Sequence, residues 1–66
     1  MVYDNVKDLC EEKGLSIYEL EVKSGLANAT IGKWRKSTPT LDSLRKVAAV
    51  LQVSIEKLIE EKDTEN

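Results

Sequence analysis

Apolar residues recur at intervals of three and four along most of the chain, with turn-forming residues between the apolar stretches. This spacing predicts five short helices, at about residues 4–13, 16–24, 28–36 and 41–51 and from Ser54 onward. Gly14 and Gly25 can end the first two helices, and Pro39 bars any continuation of the third. Because no segment alternates apolar and polar residues as a half-buried strand does, the predicted fold class is all-α.

Three helix starts carry capping signals. Ser16 and Glu19 have the capping-box spacing, in which each side chain bonds the backbone N–H of the other residue. Thr40 and Ser54 are predicted to cap the fourth and fifth helices.

The inward-facing positions predict one small core. Cys10 is interpreted as a small buried apolar residue. The apolar stripe is strongest on the fourth helix. The predicted core residues are Val6, Leu9, Cys10, Leu20, Leu26, Ile31, Trp34, Leu41, Leu44, Val47, Ala48, Leu51, Ile55 and Ile59. We therefore predict a single domain over residues 1–66, with its core at about 4–60 and an acidic tail, 60–66, that frays.

Composition narrows the class of protein. One cysteine and no long apolar run predict no internal disulfide, no membrane association and a cytoplasmic location. The sequence has no histidine, no second cysteine and no phosphate-binding glycine loop. We therefore expect neither an enzyme nor a metal or cofactor site, and no small-molecule ligand is evident.

The charges are segregated along the chain. The formal net charge is -2, but residues 23–46 hold six basic residues against one acid. The acids are concentrated in the flanking stretches. A basic middle in an acidic chain is typical of a nucleic-acid contact, although chance clustering on a solvated surface gives the same pattern.

The basic stretch contains the predicted third helix, which follows the second after a tight turn at Gly25. Two helices joined so closely cross steeply, so the second of them keeps one protruding face. A helix of this diameter fits the major groove of DNA.

Four short motifs, in order, resemble the DNA-binding domain of the phage repressor and Cro family, also called Xre-type regulators. They are GLS at 14–16, SGL at 24–26, ATIGKW at 29–34 and the P-T-L-x-x-L spacing from Pro39. The resemblance covers about residues 6–59. It implies a five-helix lambda-repressor-like domain with a helix-turn-helix that binds operator DNA, commonly as a two-fold dimer.

Two positions depart from the family pattern at the turn. Glu21 stands where a small residue is usual, so its aliphatic stem must pack or the helix crossing must open. Ala27 replaces the usual serine or threonine cap of the third helix, which is then missing or shifted to Asn28. Such a loss costs about 1 kcal/mol.

Two further departures concern DNA and core contacts. Ile17 stands where the family often has a glutamine that meets the DNA backbone. Cys10 and Arg35 occupy the places of a usual arginine–glutamate ion pair. We expect Arg35 to turn toward Glu11, Glu12 or a phosphate.

The resemblance places base contacts at the start of the third helix and one turn later, on Asn28, Ala29, Thr30 and Lys33. Asparagine can bond adenine, lysine can donate to guanine, and an alanine methyl can contact the thymine methyl. Asn28 is otherwise a plain helix cap and Lys33 a solvated lysine. Gly32 either permits close approach of DNA or is tolerated slack.

Phosphate contacts are predicted from the flanks of the same helix. The candidates are Ser16, Tyr18, Arg35, Lys36, Ser37, Thr38 and Thr40. Tyr18 is equally suited to packing, while Arg45 and Lys46 either contact DNA or simply lie on an exposed helix face.

The predicted function is sequence-specific binding of double-stranded DNA by a transcriptional regulator, expected to be a repressor. We expect a homodimer on a palindromic operator, with Val53, Ile55 and Ile59 as interface candidates. The alternative is a protein-binding adaptor or antitoxin-like regulator of another DNA-binding protein.

Overall fold

The computed structural model describes residues 1–60, which contain four α-helices, one 3₁₀ helix and no strand. The elements in chain order are α1 (Val2–Lys13), α2 (Ile17–Ser24), the 3₁₀ helix (Ile31–Arg35), α3 (Leu41–Leu51) and α4 (Ile55–Ile59). The predicted all-α class is confirmed over this range.

The helix starts have the predicted caps. Ser16 Oγ accepts a bond from the Glu19 N–H at 3.0 Å, and the Ser16 N–H donates to Glu19 Oε1 at 2.9 Å. The side chains of Thr40 and Ser54 each accept a bond from the N–H of the third residue of the following helix. These bonds satisfy N–H groups that have no partner within the helix.

The turns after α1 and α2 depend on two glycines with left-handed backbone. Gly14 and Gly25 both have a φ of 73°. Glycine adopts this conformation without steric cost, and its position just past a helix is the usual C-terminal stop. Gly25 therefore makes possible the tight turn that follows α2.

The core lies where α1 packs on the 3₁₀ helix and α4 while α2 packs on α3. Trp34 is buried here. Burial, with a smaller contribution from Glu11, raises the pKa of the Cys10 thiol, so Cys10 stays a neutral core residue at neutral pH. The buried apolar residues are Val6, Leu9, Cys10, Leu20, Ile31, Trp34, Leu44, Val47, Ala48, Leu51 and Leu58.

The predicted third α-helix is wrong. Residues 28–36, called the recognition segment below, begin in a turn in which Ala29 has a φ of 69°. The Thr30 N–H closes this turn on the Ala27 carbonyl at 3.2 Å. Only from Ile31 is the segment helical, and there it is 3₁₀. Residues 1–60 therefore contain four α-helices and not the five predicted.

Local sequence explains part of this difference. Asn28 and Thr30 form α-helix poorly, and Gly32 is less favourable still. Asn28, the first of these poor helix formers, lies in a turn whose third residue has a positive φ, as in a type II turn. The prediction rested on apolar spacing, which the 3₁₀ helix preserves by burying Ile31 and Trp34.

Two predicted core residues lie largely outside the core. Leu41 is 54% exposed and Ile59 is 49% exposed. Each is the terminal residue of its helix, where fewer neighbours cover a side chain. Leu58 is fully buried instead of Ile59. Of the predicted frayed tail, residues 61–66 lie outside the described residues.

Asn5, which the apolar pattern could not single out, ties α1 to the end of α4. Its Nδ2 donates to the Leu58 carbonyl at 2.7 Å and to the Glu60 carbonyl at 2.8 Å. Asn5 is 2% exposed. Within residues 1–60, no helix combines the length and apolar character needed to cross a bilayer.

Candidate nucleic-acid interface

The recognition segment presents three cations on one surface. Ala29, Gly32, Lys33, Arg35 and Lys36 line a shallow surface depression, and its basic side chains are exposed. We call Lys33, Arg35 and Lys36 the basic face. Buried Ile31 and Trp34 anchor the opposite side of the segment in the core, so the basic face points away from the protein.

Of the four predicted base-contact residues, Ala29 and Lys33 line this depression. Asn28, Ala29 and Lys33 are exposed and Thr30 is half-buried. Ala29 and Lys33 do not lie one turn apart on a single α-helix as predicted, because Ala29 lies in the turn before the 3₁₀ helix. The surface depression nevertheless brings these two residues together. Asn28 lies within the turn and does not cap an α-helix.

Glu21 lies directly behind the recognition segment. Although it is charged, it is only 3% exposed. Its Oε1 accepts a bond from the Ala29 N–H at 3.1 Å, and its Oε2 accepts one from the Ile31 N–H at 2.9 Å. Glu21 thus supplies two acceptors near the start of the recognition segment, close to the point where Ala27 offers none.

Arg35 is held on the surface by α1. Its guanidinium carbon lies 5.1 Å from the centroid of the Tyr3 ring, which is cation–π distance. Its Nε donates to the Gly32 carbonyl at 3.3 Å. Arg35 therefore turns to Tyr3 and not to Glu11 or Glu12. Sequence reasoning missed Tyr3, because nothing in the spacing links it to Arg35.

The predicted phosphate-contacting hydroxyls are exposed, but some are already engaged. The Ser37 Oγ donates to the Lys33 carbonyl at 3.1 Å, and the Thr40 Oγ1 donates to Ser43 Oγ at 3.0 Å. These two O–H groups must rotate before they can bond a phosphate. Ser16 accepts a bond in its cap, which leaves its O–H as a donor.

The remaining phosphate candidates differ in surroundings. Tyr18 is 62% exposed, so the core-packing alternative does not apply to it. Lys36, in the basic face, and Thr38, two residues after it, are both exposed. On α3, Lys46 pairs with Asp42 at 3.2 Å, while Arg45 is exposed.

A helix-turn-helix family model matches residues 6–58 of the chain. The chain belongs to the Xre/Cro-type helix-turn-helix family. A curated relative, the HTH-type transcriptional regulator SinR of Bacillus licheniformis, is 38% identical over 66 residues, covering 96% of this chain and 60% of the relative. The chain therefore spans about three fifths of the length of that relative.

Two solved structures resemble this helix-turn-helix chain closely. The N-terminal DNA-binding domain of SinR from Bacillus subtilis superposes with a TM-score of 0.87 at 34% identity, covering 97% of each chain. A chain of the SinR protein/SinI protein complex superposes with a TM-score of 0.85 at 35% identity, covering 94% of this chain and 63% of that one.

The departures from the helix-turn-helix pattern have clear structural outcomes. The buried Cys10 replaces one member of the usual ion pair, and Arg35 finds Tyr3 instead. Ile17 is half-buried against the core, and its side chain offers no polar group to a DNA backbone. Glu21 is buried at the turn, and its carboxylate bonds the recognition segment.

The candidate dimer residues of this helix-turn-helix domain lie in and before α4. Val53 and Ile55 are half-buried and pack against the core. Ile59 is 49% exposed and is the member of the set most available to a second copy.

Proposed function

We propose that this chain is a sequence-specific transcriptional regulator, acting as a repressor, that reads the major groove of double-stranded operator DNA with its recognition segment. The observation that carries the proposal is the exposure of Lys33, in the basic face, and of Asn28, five residues earlier in the recognition segment. The resemblance to the DNA-binding domain of SinR supports it. The proposal keeps the predicted cytoplasmic location, because a regulator must reach DNA.

Base edges are the partners proposed for Asn28, Ala29, Thr30 and Lys33. Asn28 suits the paired donor and acceptor of adenine, and Lys33 suits the acceptors of guanine. The Ala29 methyl suits the thymine methyl. Thr30 is half-buried, so its hydroxyl reaches only a base that comes close to the turn.

Phosphates are the partners proposed for the flanking residues. Arg35 and Lys36 supply charge on the basic face, while Tyr3 restricts the Arg35 side chain before DNA arrives. The neutral donors are Ser16, Tyr18, Ser37, Thr38 and Thr40. Contacts of this kind fix the register of a protein on the duplex without reading its sequence.

The test is binding-site selection with purified protein, followed by two lysine substitutions. Lys33→Ala should weaken binding to the selected site by about 1–3 kcal/mol and relax the preference at one base position. Lys36→Ala should weaken binding to all duplexes alike and reduce the slope of log K against log salt by about one.

Lys57→Ala is the matched control. It removes the same charge from α4, where Lys57 pairs with Glu60 at 3.8 Å outside the basic face. We expect unchanged sequence preference for this variant. If Lys33→Ala and Lys57→Ala behave alike, Lys33 does not read a base.

The proposed assembly on DNA is a homodimer on a palindrome, with half-sites about 34 Å apart. A single domain with three cations on its binding face binds weakly at physiological salt, so pairing supplies the missing affinity. The proposed interface residues are Val53, Ile55 and Ile59.

The second candidate is an adaptor that binds another regulator. It is favoured by the similarity to a chain in the SinR protein/SinI protein complex, in which two proteins associate. The same experiment separates the two functions. No binding to any duplex, or equal and salt-insensitive binding to all, would favour the adaptor.

A further inference from the structure

A buried carboxylate is the least expected feature of the turn between α2 and the recognition segment. Acidic side chains are almost never fully buried unless they have partners. Each of the two Glu21 carboxylate oxygens accepts a bond from a different backbone N–H, one from Ala29 and one from Ile31. Both partners belong to the recognition segment, and neither is a side chain.

The recognition segment has a specific need for these bonds. Ala27 carries no side-chain acceptor, so the usual way of satisfying the N–H groups at the start of the segment is absent. In addition, Ala29 has a φ of 69°, a conformation that residues with a Cβ rarely adopt. A bond to its N–H from a fixed acceptor holds it there.

The position of Glu21 makes this acceptor rigid. It lies within α2, whose start is fixed by a capping box and whose end is fixed by Gly25. The Leu26 N–H bonds the Glu21 carbonyl at 2.9 Å, which closes the first part of the turn between Glu21 and Ala29. The backbone and the side chain of one residue therefore both hold the turn.

We propose that Glu21 is a positioning residue for sequence readout, which fixes the backbone of the recognition segment and so decides which base edges Asn28, Ala29 and Lys33 can meet. This inference rests on the proposed function. Glu21 is buried and touches no base itself. Removing the Glu21 carboxylate lowers the discrimination between DNA sequences more than it lowers the affinity for DNA in general.

Two substitutions each change one property of the Glu21 side chain, either its second acceptor oxygen or its length. Glu21→Gln keeps the length but has one acceptor oxygen in place of two. Glu21→Asp keeps the charge but is one methylene too short to bond both N–H groups. We expect both variants to increase amide hydrogen exchange at Ala29 or Ile31 by about tenfold or more relative to the wild type.

We expect both variants also to lower the discrimination between the selected operator and a base-substituted operator by about tenfold. Binding to unrelated duplex DNA should be retained. Glu11→Gln is the control, because it neutralises an exposed acid on α1 and should change neither measurement. Exchange at the amides of α1 reports whether each variant remains folded.

A measurement on the wild type makes the inference testable without any variant. Trans-hydrogen-bond scalar couplings should connect the Ala29 and Ile31 nitrogens to the Glu21 carboxyl carbon. Absence of both couplings overturns the inference, and so does a Glu21→Asp variant that discriminates like the wild type. A wild-type protein without any sequence preference instead overturns the proposed function, whereas intact preference that ignores Glu21 overturns only this inference.

Discussion

At the scale of single residues, a substitution at Gly32 should change protein stability and DNA binding in opposite directions. Glycine in a helix interior costs about 1 kcal/mol relative to alanine. A Cβ at residue 32 would meet only the end of the flexible Arg35 side chain, at 4.0 Å. The protein therefore has room for alanine at a position where glycine is unfavourable.

Gly32→Ala should raise the free energy of unfolding by about 0.4–1 kcal/mol, because it restricts the unfolded chain without causing a clash. The same methyl should weaken binding to the selected operator about tenfold, because it fills the depression beside Lys33 where a base would approach. Chemical denaturation and operator titration measure the two effects. Unchanged operator binding would mean that Gly32 is merely tolerated at this position and does not serve the approach of DNA, which is the other interpretation of the sequence.

At the scale of elements, features set by neighbours within four residues were predictable. The capping box at Ser16, the caps at Thr40 and Ser54 and the glycine stops all follow local rules and are all present. The form of the recognition segment was only partly predictable, from its poor helix formers. Its Ile31 N–H bonds a carboxylate ten residues earlier in the chain, and apolar periodicity carries no information about such a bond.

The same limit applies to α4, whose attachment depends on Asn5. Asn5→Ala should lower the free energy of unfolding by about 1–3 kcal/mol, because it leaves the buried Leu58 carbonyl and the partly buried Glu60 carbonyl without their donor. Asn28→Ala is the control, since Asn28 is exposed and should change stability by less than about 0.5 kcal/mol. Thermal or chemical unfolding measures both variants. If Asn5→Ala is as stable as the wild type, the Asn5 hydrogen bonds make no net contribution to the free energy of unfolding.

At the scale of the whole molecule, small size and segregated charge act together. A chain of 66 residues has a thin stability margin, and its net charge of -2 opposes binding to DNA outside the basic face. Among the predicted base and phosphate residues, Ala29, Lys33, Arg35 and Lys36 nevertheless line one depression, and Ser16 and Tyr18 lie at the start of α2. The basic surface could be predicted from the sequence because its basic residues lie close together along the chain. Its shape could not be predicted, because it depends on the turn at Ala29.

Ile59 is the residue at which the proposed dimer can be tested most cleanly. Ile59→Ser places a neutral polar group on a side chain that is already 49% exposed, so folding and net charge should stay close to those of the wild type. Substitutions at Val53 or Ile55 would disturb the core as well. Sedimentation with a palindromic operator should give two protein copies per duplex for the wild type and one for the variant.

Affinity for the palindrome should fall about a hundredfold in Ile59→Ser, because the second copy no longer binds as part of a pair. A duplex with a single half-site provides the matched control, since one copy uses the same recognition segment there whether or not it can pair. Wild type and variant should therefore bind the half-site equally. If the wild type itself sediments as one copy on the palindrome, the contacts of a single domain are sufficient and the homodimer proposal is wrong.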